Sequence, residues 1–97
     1  MSTTDPEEHL LREQAIVLAV AERIRKLRKE QGFNQDEFAA KANLYRSHYG
    51  FIETTRREPQ LRTLIRIARA LDISLSKLLD IDMERVEALA QELRKET

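Results

Sequence analysis

From Glu7 to Gln31 the chain contains neither glycine nor proline, and Leu10, Val17 and Ile24 recur every seven residues with Leu11, Leu18, Val20, Ala21 and Leu27 beside them. That spacing marks an apolar stripe along a helix. Asp5-Pro6-Glu7-Glu8 supplies its start: Asp5 as cap, proline at the first helical position, and Glu8 three residues after the cap. Gly32 suits the left-handed residue that ends a helix. One long helix, straight or bent into two, is therefore predicted to reach about Gln31, and the rest of the chain must pack against it.

The remainder reads as shorter helices. Asn34, followed by Gln35, Asp36 and Glu37, repeats the start signal, with two acids where the helix dipole favours them. A helix to about Ala42 buries Phe38, Ala39 and Ala42, and Asn43 takes the left-handed turn. The next helix, Tyr45 to Thr54, follows Leu44 and turns Tyr49 and Ile52 inward. After Arg56-Arg57-Glu58-Pro59, the residues Leu61, Leu64, Ile65, Ala68 and Leu71 mark the expected buried stripe of a fourth helix, with Arg62, Arg66 and Arg69 off it. Ser74 caps a short helix expected to bury Leu75, Leu78 and Leu79. Asp82 begins a last one to about Lys95, with Met83, Val86, Leu89, Ala90 and Leu93 on one face.

The expected fold is all-α: a five-helix domain over residues 20–79, preceded by an acidic helical extension (1–19) and followed by an acidic amphipathic helix (80–97). Composition agrees, since 2 Gly, 2 Pro and 5% aromatic residues leave little material for tight turns or strands, while 41% hydrophobic residues build a core. No cysteine is present, which excludes disulfides and thiol chemistry. Two histidines, no cluster of histidine with carboxylates and no phosphate-binding glycine loop argue against an enzyme and against a metal or other cofactor. No apolar run approaches the roughly 18 residues of a membrane span, and the acidic start is unlike a signal peptide. The expectation is a cytoplasmic protein with no membrane partner.

The total of 17 basic and 17 acidic residues gives a formal net charge of zero, which taken alone opposes a nucleic-acid partner. The distribution reverses that inference. Residues 1–19 hold one cation and four anions, residues 80–97 three cations and six anions, and residues 20–79 thirteen cations and seven anions. The centre is +6 between two ends of −3 each.

Two short helices joined by a three-residue turn within a small bundle match the unit that places its second helix in the DNA major groove. The segment FNQDEFAAKANLYRSHYGFIE (33–53), with Pro59 and LRTLIRIARALDISLSKLL (61–79), closely resembles the helix-turn-helix domain of the phage-repressor and Cro-like family, also called the Xre family. Within it the sequence looks most like the small controller proteins of restriction-modification systems. The resemblance covers roughly residues 20–79 and implies a repressor-like fold.

Helical spacing puts Arg46, Ser47, Gly50, Phe51 and Thr54 on one side, opposite Tyr49 and Ile52. Arg46 stands at the helix start, where the family commonly reaches base edges, and its fork matches guanine N7 and O6. Ser47 donates to a phosphate or base, or serves as a local cap. Gly50 permits close approach to a DNA strand or to another helix. Phe51 either meets a thymine methyl or turns sideways into the fold. His48, off the central face, suits solvent or backbone phosphate rather than metal.

The resemblance implies further roles. Gln35 engages a phosphate at the front of the first motif helix. Arg56 and Arg57, with the Thr54 and Thr55 hydroxyls, follow the DNA backbone, although Thr55 departs from the family's frequent glycine. Arg28 and Glu53 form a structural ion pair behind the second helix. Pairing of two chains is expected through Leu75, Leu78, Ile81, Val86 and Leu93, with Leu10, Ile16 and Val17 as a further contribution; alternatively, the last helix covers the core of its own chain. Two-fold symmetry implies a pseudo-palindromic operator with half-sites about 34 Å apart.

The function expected on this basis is a sequence-specific double-stranded DNA-binding transcription regulator acting as a homodimer, with activation and repression both open. Two other classes remain: an antitoxin that binds DNA and captures a toxin, and a protein-interaction module without DNA binding, which the balanced charge favours.

Overall fold

Asp5 accepts the Glu7 amide at 3.0 Å and so caps α1 (Pro6–Glu30), a continuous helix with Arg28 and Lys29 in its last turn, where the helix dipole favours cations. In this computed structural model, which describes residues 5–55 and 57–96, five more helices follow: α2 (Gln35–Lys41), α3 (Arg46–Glu53), α4 (Leu61–Ala70), α5 (Leu75–Leu78) and α6 (Met83–Glu96). No strand occurs among the described residues. Asn34 and Glu37 form a reciprocal capping box on α2, Ser74 accepts the Lys77 amide at α5, and Asp82 accepts the Glu84 amide at the start of α6. The expected starts are met side chain by side chain.

Helix ends share one device. Gly32, Asn43 and Asp72 have φ of 83°, 59° and 60°, and the residue after each donates its amide to a carbonyl five residues back: Phe33 to Arg28 at 3.2 Å, Leu44 to Ala39 at 2.8 Å, and Ile73 to Ala68 at 3.0 Å. A left-handed residue in this place satisfies carbonyls that the helix leaves open. Thr55 ends α3 with φ of 60°, an uncommon conformation for a β-branched residue. Arg23 of α1 and Gln31, its C-cap residue, reach the ends of α5 and α4. Arg23 donates to the Lys77 and Leu78 carbonyls, and Gln31 to the Leu71 carbonyl at 2.8 Å.

The core has two parts. Val20, Ile24, Phe38, Ala39, Tyr49, Ile52, Ile67, Leu71 and Leu78 are packed between the C-terminal half of α1 and helices α2 to α5. Ala15, Ala19, Val86, Leu89 and Ala90 join α6 to the middle of α1, and Ile81 touches both groups. The three alanines let the two helix backbones approach. Arg12 to Glu87 and Arg85 to Glu22, each at 2.7 Å, together with Arg94 to Glu8, cross between α1 and α6. Exposed pairs like these contribute little to stability and chiefly fix register.

Three expectations are corrected. On α4 the inward residues are Thr63, Ile67, Ala68, Ala70 and Leu71, whereas Leu61 is 61% exposed and Ile65 lies at the surface; apolar residues occupy more than half of this helix, and packing on α1 selects among them. Leu79 and Met83 are exposed rather than buried. Leu78 and Val86 are 0% exposed and so are unavailable for pairing two chains. Leu78 closes the core beneath α5, and Val86 is covered because α6 folds back on its own α1. Leu75, Ile81 and Leu93 are only half-buried, with Ile81 and Leu93 also packed within the chain.

Candidate nucleic-acid interface

Tyr49 and Ile52 anchor α3 at 0% and 1% exposure, and the ring of Phe38 in α2 packs tilted against that of Tyr49, with centroids 5.2 Å apart. These contacts determine which side of α3 faces outward. Arg46 and Ser47 are exposed, Gly50 and Phe51 half-buried, and Thr54 exposed. The five residues thus occupy one accessible side, framed by the start of α2 and the segment after α3.

Behind α3 lies a buried ionic network. Arg28 Nε donates to Glu53 Oε2 at 2.7 Å and Nη2 to Oε1 at 3.2 Å, while Nη1 donates to the Phe33 carbonyl at 2.6 Å. The Tyr49 hydroxyl and Gln35 Nε2 also donate to the Glu53 carboxylate. Burial raises the Glu53 pKa, but the hydrogen bonds from Arg28, Tyr49 and Gln35 outweigh it and hold the carboxyl below its ordinary value. Tyr49 is pushed up, first by burial and then by its bond to Glu53, so it stays a protonated donor. The Arg28 guanidinium is held charged by Glu53. A single carboxylate therefore links α1, α2 and α3.

At the surface, Arg46 Nε contacts Asp36 Oδ1 at 2.7 Å, and Nη2 donates to Gln35 Oε1. Gln35 connects this arginine to Glu53. Gly50 lies beneath the same guanidinium: a Cβ there would stand 2.7 Å from Arg46 Nη1. Phe51 is covered on one face by Arg57, whose guanidinium lies 5.5 Å from the ring centroid. The Thr54 hydroxyl donates to the Gly50 carbonyl at 3.0 Å and that of Thr55 to the Thr54 carbonyl at 2.6 Å, so both are engaged locally. Arg56 lies outside the described residues.

Tyr45, 85% exposed, and Arg62 and Arg66, which the sequence places only off the buried stripe of α4 and in no binding role, line with His48, Asn43 and Gln60 a groove of about 510 Å³ between the α2–α3 turn and α4. Asp36 was missed too, because its sequence role as a helix-start acid conceals its reach to Arg46. Among the described residues, no group of three or more His, Cys, Asp or Glu is placed to hold a metal ion, and no helix is long and apolar enough to cross a membrane.

A capped helix, a left-handed turn and a second helix with an exposed polar side define a helix-turn-helix unit, and residues 24–78 match the helix-turn-helix family model. The chain belongs to that family, in its Xre-like branch. It is 38% identical over 71 residues to the control protein C.MunI of Mycoplasma sp, a match covering 71% of this chain and 96% of that protein. It is 43% identical over 61 residues to the immunity repressor protein of Bacillus phage phi105, covering 63% of this chain but only 42% of the repressor. Among solved structures, the biofilm master regulator SinR in complex with DNA superposes with a TM-score of 0.59 at 34% identity, covering 63% of this chain and 98% of that one; the SinR matched by sequence is that of Bacillus subtilis.

Proposed function

We propose that this chain is a sequence-specific double-stranded DNA-binding transcription regulator, working by binding rather than by catalysis and acting in the cytoplasm. The observation that carries the reading is the exposed side of α3, with Arg46 at its first turn and the buried Arg28–Glu53 pair bracing it from behind. Arg46 addresses a base edge, and Arg57 with Arg56 addresses phosphates. Membership of the helix-turn-helix family and likeness to a regulator crystallised on DNA support it. Charge placement supports it as well. The acidic ends gather where α6 meets the N-terminal half of α1, whereas α3 is braced by Arg28 near the other end of α1.

The protein acts as a homodimer in this reading, because one short helix reads too few base pairs to compete with non-specific sites. With Leu78 and Val86 inside the core, the pairing surface moves to the outer side of α4 and α5. There Ile65, Ile73 and Leu75 line a groove of about 470 Å³, and Leu79 is 38% exposed. A genomic binding selection with the purified protein at moderate salt tests the function. It is expected to enrich a pseudo-palindrome with half-sites about one helical turn, roughly 34 Å, apart; enrichment of no sequence would overturn the reading.

A further inference from the structure

Asp36 is an acid on the side of the molecule assigned to DNA, where simple electrostatics makes it a liability. A carboxylate brought close to DNA phosphates repels them. The structure gives it a specific occupation instead: Oδ1 lies 2.7 Å from Arg46 Nε, across the turn between α2 and α3. Gln35 Oε1 accepts from Nη2, on the same edge as Nε, and Gly50 leaves room for Nη1 against α3.

These three contacts divide the guanidinium by function. Asp36 and Gln35 take up Nε and Nη2, the lateral edge. Nη1 keeps its donors, and Nη2 has a second one, so the terminal edge retains the two parallel N–H groups that a guanine O6/N7 pair requires. A free arginine populates many rotamers, and ordering it on binding costs affinity. An arginine held at its lateral edge is ordered beforehand. Gln35 is itself fixed by donating to Glu53 at 2.9 Å, so the hold extends to the buried Arg28–Glu53 pair. Glycine at position 50 completes the arrangement, since an alanine methyl would force Nη1 to move.

We propose that Asp36 is a positioning residue for base readout: it fixes the Arg46 fork with its terminal edge free for guanine and thereby sets the sequence preference of the recognition helix. This inference rests on the DNA-binding reading above. It makes a prediction opposite in sign to charge repulsion. Removing a carboxylate beside DNA ought to tighten binding to every duplex, whereas removing a support for Arg46 loosens binding to the operator alone.

The test measures affinity of full-length wild type, Asp36→Asn, Gly50→Ala, Arg46→Ala and Asp36→Asn/Arg46→Ala for the selected operator and for a scrambled duplex of equal length. Asp36→Asn is expected to weaken operator binding by roughly 5-fold or more, a part of what a bidentate base contact supplies, while binding to the scrambled duplex stays equal or tightens. In the Arg46→Ala background the same substitution should no longer weaken the operator. Gly50→Ala should also lower the operator-to-scrambled ratio with no fall in melting temperature, because alanine favours the helix. Equal tightening on both duplexes by Asp36→Asn, or an unchanged ratio in both Asp36→Asn and Gly50→Ala, would overturn the proposal and leave the regulator reading intact. Failure of the wild-type protein to prefer any sequence would overturn both.

Discussion

Arg28 and Glu53, 25 residues apart in sequence, meet through two hydrogen bonds, the shorter 2.7 Å, with side chains only 7% and 2% exposed. The Tyr49 hydroxyl and the Gln35 amide donate to the same carboxylate. Desolvating two charges is costly, and the bonds offset that cost only while the set stays complete. The pair thus ties the position of α3 to that of α1.

Removing one partner leaves a buried charge. Glu53→Ala should destabilise the fold by about 3–5 kcal/mol, and Tyr49→Phe, which deletes one bond to a charged acceptor, by about 1.5–3 kcal/mol. Chemical denaturation of each variant checks both values. DNA binding is then compared under conditions where the variants remain folded.

The same carboxylate makes stability depend on pH. Glu53 is held below its ordinary value of 4.5 in the folded state, so between the two values the unfolded chain binds more protons. The stabilisation is fully present above the unfolded value and is lost as pH falls through the folded one. Thermal melts should therefore show a falling midpoint below about pH 4.5 and a shallower fall in Glu53→Gln. Some slope will persist, because Arg85 also holds Glu22 below its ordinary value. An identical acid profile in Glu53→Gln would assign the pH dependence elsewhere.

Thr55 stands in the left-handed region with φ of 60°, where a side chain with a Cβ costs about 1–2 kcal/mol and glycine costs nothing sterically. The entropy that glycine gains in the unfolded chain takes back part of this. Thr55→Gly should still raise stability, by about 0.5–1 kcal/mol. A fall in the melting midpoint would show that the Thr55 hydroxyl bond to the Thr54 carbonyl matters more than the strain.

Dimerisation is checked by separating surface from core. Ile65→Lys combined with Leu79→Lys should yield a monomer in sedimentation equilibrium with a nearly unchanged fold, since both side chains are at the surface. Leu78→Ala should instead destabilise the chain by about 2–5 kcal/mol, as for other buried leucines. A double lysine variant that remains dimeric would move the interface off α4 and α5.

Much of this architecture was legible in local chemistry. Asp5, Asn34, Ser74 and Asp82 announce helix starts, and Gly32 and Asn43 announce ends, because capping involves residues only a few positions apart. The inward side of α4 was not legible. Leu61, Leu64, Ile65, Ile67, Ala68, Ala70 and Leu71 spread too widely round the helix for periodicity to choose, and contact with α1 makes the choice. Asp72 was missed as a helix end because aspartate adopts the left-handed form only when its surroundings require it. At the candidate site, the outward side of α3 followed from spacing, and the Arg28–Glu53 pairing followed from family resemblance. The Asp36–Arg46 contact depends on how α2 and α3 cross, which no single-helix pattern records.

In the proposed function α3 reads DNA through Arg46 while Arg57 holds the backbone. The most direct measurement is the salt dependence of binding by Arg46→Ala and Arg57→Ala on the selected operator and on a scrambled duplex. Arg46→Ala should cost about 1–3 kcal/mol on the operator, little on the scrambled duplex, and relax preference at one base pair per half-site. Arg57→Ala should weaken both duplexes alike and reduce the slope of log K against log salt by about 0.9. Equal losses on both duplexes from Arg46→Ala, or no loss on either, would contradict base readout by this helix.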